Sequence, residues 1–384
     1  MGRYPARRTY MRIGKQKDII KPKSSVKRPL RDRLRLGRWQ LAALILIAVA
    51  AISWTLIALS NGSISTVTRT LSIPGLPAAL EGYTIVHISD LNGARFGDGQ
   101  ENLVKAISAV DYDAICMTGD MVGESGDARP LLELIDGLDT SRPIMLITGD
   151  SDPAPLAAEP DEEGSLYADY IKELLARGVT YLDSPVSVKE GDATVWFSPA
   201  LALNMNTQEY LASMQARYDA TMKDAEADAG AVAEAAYQLS CAQKLKAAAQ
   251  TMQSTDVHIT LSHVPLSDDF VRSLQYAEGD LTADSLSEER GMFLRLIDVA
   301  LCGHYVGGQW RLPFVGALFV PDERLPRGGW LPDGAQVSGL RRSNSVYIYT
   351  TTGLGASSAY ALPGFRLFNS PEIVVIKLTA QLGV

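Results

Sequence analysis

The sequence predicts an α/β protein with a largely parallel, layered sheet, preceded by a transmembrane helix. Three observations lead to this prediction. From residue 83 onward, short apolar runs alternate with helical patterns, which is typical of parallel strands joined by helices. Residues 39–60 form a run of 22 residues without a charge. Three predicted strands end at an aspartate, and ligands of such sheets gather at the carboxyl ends of the strands.

Composition limits the classes of protein that the chain can belong to. Hydrophobic residues make up 46% of the sequence, which is ample for a buried core. The chain has three cysteines, Cys116, Cys241 and Cys302, and so lacks the dense, even cysteine pattern of a disulfide scaffold.

Charge is distributed very unevenly along the 384 residues. Residues 1–38 carry 14 Lys and Arg against Asp18 and Asp32, a net charge of +12. The remaining residues hold 22 Lys and Arg against 42 Asp and Glu, a net charge of −20. The two parts should therefore face different partners. A basic segment beside a membrane span favours contact with anionic lipid, and nucleic acid is not an expected partner of the tail.

The run WQLAALILIAVAAISWTLIALS, residues 39–60, is long enough for a transmembrane anchor, because about 20 apolar residues span a bilayer core. A buried helix and a cleaved signal peptide are the alternatives. The long charged region before the run and the weak cleavage site at Ala58-Leu59-Ser60 favour a retained anchor. The excess of Lys and Arg before the run predicts a single-pass cell-membrane protein with residues 1–38 in the cytoplasm and 61–384 outside.

Three strands with helices between them open the predicted sheet. The strands are YTIVHIS (83–89), DAICMTG (113–119) and PIMLITG (143–149), and the helices lie near 100–110, 129–138 and 165–177. Each strand ends directly before an aspartate, at Ser89-Asp90, at Gly119-Asp120 and at Gly149-Asp150-Ser151-Asp152.

The second half continues the alternation. Short runs near 179–182 and 193–198 predict a hairpin. Residues 205–254 are rich in Ala, Gln, Met and charge and lack proline, so we expect one or two helices in a solvated or loosely docked insertion, with a binding module as the alternative. Further strands are predicted at VHITLSHVP (257–265) and IDVALCGH (297–304), and a closing pair near 345–350 and 372–378.

Five side chains that can bind a metal lie at the ends of predicted strands: Asp90, Asp120, Asp150, His263 and His304. Each alone has a structural explanation, since a strand-end Asp often caps a helix and a lone His often forms a hydrogen-bonded turn. Together, carboxylates and imidazoles at one sheet edge are the ligands of a divalent cation. The sequence therefore predicts a metal site there.

The ordered motifs SDLN, TGD, TGDSD, LSHVP and GHYVGGQ resemble those of the calcineurin-like metallophosphoesterase family. They are most similar to its membrane-anchored bacterial branch, whose pattern is SDLH, GD, GNHD, SHxP and GHTHGGQ. The resemblance covers residues 83–378. It implies a double β-sandwich flanked by helices and, in active members, two metal ions that share one Asp and hydrolyse phosphoesters.

One of the two metal sites that the resemblance implies is incomplete in this chain. Its positions are Asp90, Asn92, Asp120 and Val306. Asn92 stands where the family has a histidine and offers only a neutral amide oxygen, and Val306 offers no ligand. We therefore expect Asp90 and Asn92 to be weaker ligands.

The other implied site is complete, with Asp120, Asp150, His263 and His304, and Asp150 supplies a carboxylate where the family has an amide. We expect about one tightly bound divalent ion there, Mn, Fe, Zn or Mg. Ser151 replaces the family histidine that stabilises the phosphate in the transition state. Asp90, Asn92, Ser151 and Asp152 occupy the family's active-site positions.

The sequence leaves two functions open. One is a membrane-anchored metallophosphoesterase, residues 61–384, whose activity is reduced by the missing ligands and the missing histidine. The other is a non-catalytic relative that binds a metal and a phosphorylated ligand or a protein partner. The family suggests phosphorylated small molecules or lipid-linked esters as substrates.

Overall fold

The computed structural model describes residues 37–279, 292–320, 322, 325, 329–357 and 365–381. The basic tail as far as residue 36 lies outside the described residues. The chain divides into two compact units, residues 1–53 and 54–384.

Helix α1 (Arg38–Gly62) contains the whole uncharged run. Its large apolar side chains are exposed, including Trp39 at 89% and Leu46 at 71%. Among the described residues, α1 is the one helix that is long and apolar enough to cross a membrane. Length and composition alone support this role, and they would fit a signal sequence equally well.

The first sheet has six strands: β1 (Ser65–Ser72), β2 (Thr84–Ile88), β3 (Ala114–Thr118), β4 (Ile144–Ile147), β5 (Val179–Tyr181) and β14 (Glu372–Thr379). Their order is β1-β14-β2-β3-β4-β5. All neighbours are parallel except β14 and β2. The three predicted opening strands are thus adjacent, and their carboxyl ends meet at one edge.

The second sheet also has six strands: β6 (Val186–Glu190), β7 (Ala193–Pro199), β8 (Val257–Ser262), β9 (Val299–Cys302), β12 (Gly339–Ser343) and β13 (Val346–Thr350). Their order is β12-β13-β9-β8-β7-β6. The four central strands are parallel, and the two edge strands pair antiparallel. A separate short hairpin consists of β10 (Arg311–Leu312) and β11 (Gly316–Ala317).

The two sheets share one core. Ile85 and Met145 of the first sheet and Phe197, Leu261 and Leu301 of the second belong to the same cluster of buried side chains. Since successive strand residues point to opposite faces, neighbouring residues of the first sheet pack instead against α2 (Glu101–Ser108), α3 (Arg129–Asp136) and α4 (Asp169–Ala176). The predicted α/β class and the helix-flanked double β-sandwich are confirmed.

Two helices occupy the predicted insertion, α5 (Thr207–Lys223) and α6 (Ala229–Thr251). The side chains of Asn206 and Asp228 cap their first turns by accepting backbone N–H groups. Apart from Thr207, α5 buries no side chain, as a loosely docked helix should. In contrast, α6 buries seven residues, among them Leu239 and Leu245, and packs on β7 through Trp196.

Helix α7 (Asp268–Gly279) covers the outer face of the second sheet, and the short α8 (Gly334–Val337) precedes β12. Two predicted pairings are wrong. Strand β5 joins the first sheet, while β7 forms its hairpin with β6; likewise, β13 and β14 lie in different sheets. An apolar run shows that a strand is buried but carries no information about its neighbour.

Candidate metal centre

The carboxyl ends of five strands meet at one place, and each delivers one predicted ligand. Asp90, Asp120 and Asp150 follow β2, β3 and β4, and His263 and His304 follow β8 and β9. Their ligand atoms form two overlapping groups, Asp150 with both histidines and Asp90 with Asp120 and His263. Within each group the atoms lie within 4.8 Å of one another. The structure therefore brings all five predicted ligands together.

Nε2 of His263 is the centre of the cluster. It lies 3.0 Å from Oδ1 of Asp150, 3.2 Å from Nδ1 of His304 and 3.3 Å from Oδ2 of Asp120. Nδ1 of His304 lies 3.5 Å from Oδ2 of Asp150. Four ligands at about 2.0–2.2 Å from a tetrahedral ion are about 3.3–3.6 Å apart. Asp150, His263 and His304 have this spacing and can share one divalent ion, and Asp120 approaches the three through Nε2 of His263.

The orientation of the His263 ring is fixed from behind. Nδ1 lies 2.8 Å from the carbonyl oxygen of Thr118, at the end of β3. That nitrogen therefore carries the proton, and Nε2 is left facing the cluster. Metal-binding histidines are commonly oriented by such a hydrogen bond on the second nitrogen.

The carboxylates around His263 favour a positive charge at Nε2. Burial opposes protonation of this imidazole, but hydrogen bonds to Asp120 and Asp150 and the charge of Asp90 outweigh it and raise its pKa to about 11. Hydrogen bonds from His263 and His304 hold the pKa of Asp150 far below its usual value. Burial, with a contribution from Asp120, raises the pKa of Asp90 to about 6. In the absence of an ion, a second proton, on Nε2 of His263, supplies the positive charge.

Asp90 connects the first and last motifs. Its carboxylate is fully buried, and its two oxygens lie 3.1 and 3.2 Å from the backbone nitrogen of His304, which donates to them. Gly303 makes this approach possible, because a Cβ atom there would overlap the Asp90 carboxylate and the Ser89 hydroxyl.

The other two positions of the incomplete site do not complete it. Nδ2 of Asn92 faces the carbonyl oxygen of Asp90 at 3.4 Å. Val306 is fully buried, and its carbonyl oxygen accepts a hydrogen bond from Asn369 at 2.8 Å. Thus Asp90, Asp120 and His263 are the side chains of this position whose ligand atoms lie close together.

Ser151 and Asp152 support the ligands. The backbone N–H of Ser151 donates to one carboxylate oxygen of Asp120 at 2.9 Å, and its hydroxyl donates to the other at 3.0 Å. The carboxylate of Asp152 accepts three backbone N–H groups, of Val122 at 2.7 Å, Gly123 at 3.0 Å and Gly149 at 2.9 Å. Ser151 therefore holds Asp120, and Asp152 joins the loops after β3 and β4.

Unusual backbone conformations cluster at the site. Positive φ angles occur at Asp90 (53°), Asn92 (49°), Asp120 (53°), His304 (74°) and Val306 (48°). Such angles are uncommon outside glycine and are outliers for a β-branched residue. Strain of this kind concentrates at functional sites, where the surrounding structure enforces it. At Val306 the loop keeps a strained conformation although the side chain offers no ligand.

Sequence reasoning missed Asp322. Its Oδ2 lies 3.9 Å from Nε2 of His304, on the side of the ring that faces away from the cluster, and the residue is 8% exposed. Asp322 lies in an irregular segment, so the strand-end pattern could not reveal it. In the sequence Asp322 stands in the charged run Asp322-Glu323-Arg324, where nothing distinguishes it from an ordinary surface residue.

His87 and His258 have structural partners. Nε2 of His87 lies 2.8 Å from the hydroxyl of Thr118, and that of His258 lies 2.7 Å from the hydroxyl of Ser198. Both rings are fully buried, and burial lowers their pKa values to about 3 and about 4. They are neutral core residues.

The fold and the cluster define a metal-binding α/β sandwich with phosphoesterase motifs. No family model matches the chain. One curated relative, phosphodiesterase YaeI of Escherichia coli K12, is 40% identical over 81 residues, which are 21% of this chain and 25% of that protein. The chain thus matches about a quarter of the length of this relative. Together with the ordered motifs and the Asp/His cluster, the match confirms the predicted family: the chain is a relative of the calcineurin-like metallophosphoesterases.

Solved structures show a weaker likeness. The phosphopantetheinyl hydrolase of Mycobacterium tuberculosis aligns with a TM-score of 0.34 and 13% identity over 72% of this chain and 91% of that chain. A dimetal phosphatase of Danio rerio aligns with a TM-score of 0.35 and 11% identity over 71% and 88%. At these values the likeness adds no information about activity.

Proposed function

We propose that the chain hydrolyses phosphoesters with one tightly held divalent ion, and that it does so more slowly than relatives with two complete metal sites. The observation that carries this proposal is the convergence of Asp120, Asp150 and His304 on Nε2 of His263. Four ligands of mixed oxygen and nitrogen type at these separations suit Mn, Fe or Zn better than Mg, because Mg prefers oxygen ligands.

Each residue has a distinct task in this proposal. Asp150, His263 and His304 hold the ion, and Asp120, fixed by Ser151, completes its ligands. When bound, a divalent ion polarises the phosphoester and makes a water molecule a better nucleophile. Asp90 and Asn92 form a weaker second position whose occupancy depends on metal concentration.

Reduced activity follows from Ser151. Its hydroxyl already donates to Asp120 and carries no positive charge, so it does not replace a histidine as a donor to the phosphate. Loss of one preorganised donor costs on the order of 10²–10³ in rate. The proposal thus predicts a measurable but slow enzyme.

The location is also a proposal. We place the chain in the cell membrane through α1, with the basic tail against anionic lipid in the cytoplasm and residues 61–384 outside. The exposed apolar surface of α1 and the charge contrast between tail and domain support this topology. Substrates would then be phosphorylated small molecules or lipid-linked esters outside the membrane.

A non-catalytic role is the second candidate. The observation that favours it is the incomplete position, where Val306 offers no ligand and the Asn92 amide nitrogen faces the Asp90 carbonyl group. In that case the cluster would hold one ion as part of a binding site for a phosphorylated ligand or a protein partner.

One experiment separates the two candidates. The full chain, reconstituted in phosphatidylcholine nanodiscs and loaded with Mn²⁺, is assayed with bis(p-nitrophenyl) phosphate beside the His304→Ala variant. The enzyme candidate predicts slow turnover that the variant reduces by at least about 100-fold. If the wild-type chain binds Mn²⁺ but hydrolyses the ester no faster than His304→Ala does, the non-catalytic candidate is favoured.

A further inference from the structure

A cavity of about 620 Å³ opens directly beside the metal centre. Asp150 and His263, two of the four proposed ligands, are part of its lining. Its volume lies within the range of about 300–1,000 Å³ that is typical of small-molecule pockets. A group attached to a phosphate at the metal centre can therefore extend into this cavity.

The cavity lies between the sheets' carboxyl ends and the inserted helices. Helices α5 and α6 contribute Tyr210, Tyr237, Cys241 and Leu245 to its lining. The remaining apolar lining comes from strand ends and from the segment before α5: Ile147, Leu182, Leu261, Ala202, Met205 and Leu201. Leu201 is 83% exposed, so a large apolar side chain stands at the solvent side of this wall. The inserted helices thus form one wall of an apolar pocket.

The acidic group at the far side of the cavity has partners, whereas Oε1 of Gln238 in the lining is buried without a hydrogen bond. The Asp183 carboxylate accepts hydrogen bonds from the hydroxyls of Tyr167 at 2.5 Å, Tyr237 at 3.1 Å and Ser184 at 2.7 Å. Among the described residues that line the cavity, none is a lysine or an arginine. The lining therefore offers no charge to bind a second phosphate, as in a nucleoside diphosphate, and it favours an apolar occupant.

We propose that this cavity binds the alkyl chain of an amphiphilic phosphoester, whose phosphate lies at the metal centre, and that α5 and α6 select this substrate. The inference rests on the proposed function and names the substrate class of the same site. It gives the insertion a role that a loosely docked helical pair would not have, because Cys241 and Leu245 of α6 line the cavity while Ala248 of the same helix packs on Trp196 of β7.

Two pairs of probes test the proposal on the Mn²⁺-loaded full chain in phosphatidylcholine nanodiscs, with empty nanodiscs as the blank. The first pair is p-nitrophenyl octyl phosphate and p-nitrophenyl methyl phosphate, which share a leaving group. The second is octylphosphonate and methylphosphonate, whose binding is measured by calorimetry. Each buried methylene strengthens binding roughly fourfold, so partial burial of the longer chain should give a preference of at least about 100-fold in kcat/KM and in Kd.

A matched pair of variants locates the effect. Cys241→Trp fills the cavity from α6 and should reduce the octyl preference at least tenfold, while Mn²⁺ content stays unchanged. Ala247→Trp, on the exposed side of the same helix, should keep the full preference. If Cys241→Trp does not fold, Tyr210→Ala, which removes part of the wall, should reduce the preference instead.

The outcomes distinguish the inference from the function on which it rests. Equal turnover of the two esters, within threefold, would overturn the alkyl pocket and leave phosphoester hydrolysis intact. Absence of turnover with both esters would overturn the proposed function, and the phosphonate pair would then decide the inference alone. An octyl preference that survives Cys241→Trp and Tyr210→Ala would overturn the assignment to this cavity.

Discussion

The imidazole of His263 carries a second proton, on Nε2, in the metal-free protein because Asp90, Asp120 and Asp150 surround it. Its pKa is raised to about 11, so the ring is charged at pH 8. An ion that binds to Nε2 must displace that proton. We expect the metal-free protein to release about one proton per bound Zn²⁺ at pH 8. Calorimetry in buffers of different ionisation enthalpy measures this number.

The control for proton release is His263→Gln, which should bind Zn²⁺ weakly and release no proton.

The raised pKa of His263 also fixes the sign of the pH dependence of stability. The stabilisation from charged His263 is complete below about pH 6.5 and is lost as the pH rises towards 11. Zn²⁺ affinity should rise over the same interval. Metal binding without proton release would contradict the structure's account of this residue.

Repair of the missing groups is a second test at the level of residues. Asn92→His and Val306→His together should create a second metal position, and Ser151→His should supply the donor to the phosphate. Because these groups act as a unit, each single change should do little, and the triple variant should gain several powers of ten in phosphodiester hydrolysis with Mn²⁺. A triple variant that binds two ions and remains inactive would show that the rest of the pocket has diverged.

Among the elements, the loops after β3 and β4 depend on Asp152. Its carboxylate accepts N–H groups from Val122, Gly123 and Gly149, so Asp152→Ala leaves three partly buried donors without this partner. Hydrogen bonds to a charged group contribute about 1.5–3 kcal/mol each. Because water can reach these partly buried N–H groups in the variant, we expect a loss of about 2–4 kcal/mol in the free energy of unfolding, less than the sum of the three bonds, measured in urea.

The matched control for that loss is Asp169→Ala, which removes a carboxylate that is 92% exposed. It should change the free energy of unfolding by less than about 0.5 kcal/mol. Equal effects of the two substitutions would show that Asp152 does not join the loops.

Helix α1 gives the second prediction at the level of elements. Its uncharged run and the +12 segment before it predict that the full chain fractionates with membranes. Protease added outside intact cells should digest the main domain and spare the tail. Release of a soluble chain that begins near residue 61 would identify the run as a signal peptide.

For the whole molecule, the ion should connect the two sheets. Asp120 and Asp150 follow strands of the first sheet, and His263 and His304 follow strands of the second. We expect the purified protein to hold about one tightly bound divalent ion and to lose thermal stability when a chelator removes it. Elemental analysis and a melting curve with and without EDTA measure both effects.

Variants refine this whole-molecule prediction. His263→Ala and His304→Ala should each remove most of the metal, whereas Asp90→Ala should matter less because the complete set does not include it. Two tightly bound ions in the wild-type protein would refute the single complete site.

The sequence by itself determined the α/β class, the apolar helix, the family and the five side chains that converge at the sheet edge, because strand-end Asp and His residues are local patterns. Sheet membership was not determined: β5 and β7 were expected to pair, as were β13 and β14. Pairing depends on contacts between distant segments, and a buried run looks the same in either sheet.

Only the tertiary structure decided how the ligands are held and what lies beside them. The hydrogen bonds from Ser151 to Asp120 and from His263 to the Thr118 carbonyl oxygen, and the approach of Asp322 to His304, join segments that are far apart in the chain. The same holds for the cavity, since the composition of α6 shows that it is helical but not which side chains face the metal centre. Local sequence sets the type of each element and its chemistry, whereas the packing of the two sheets sets the distances.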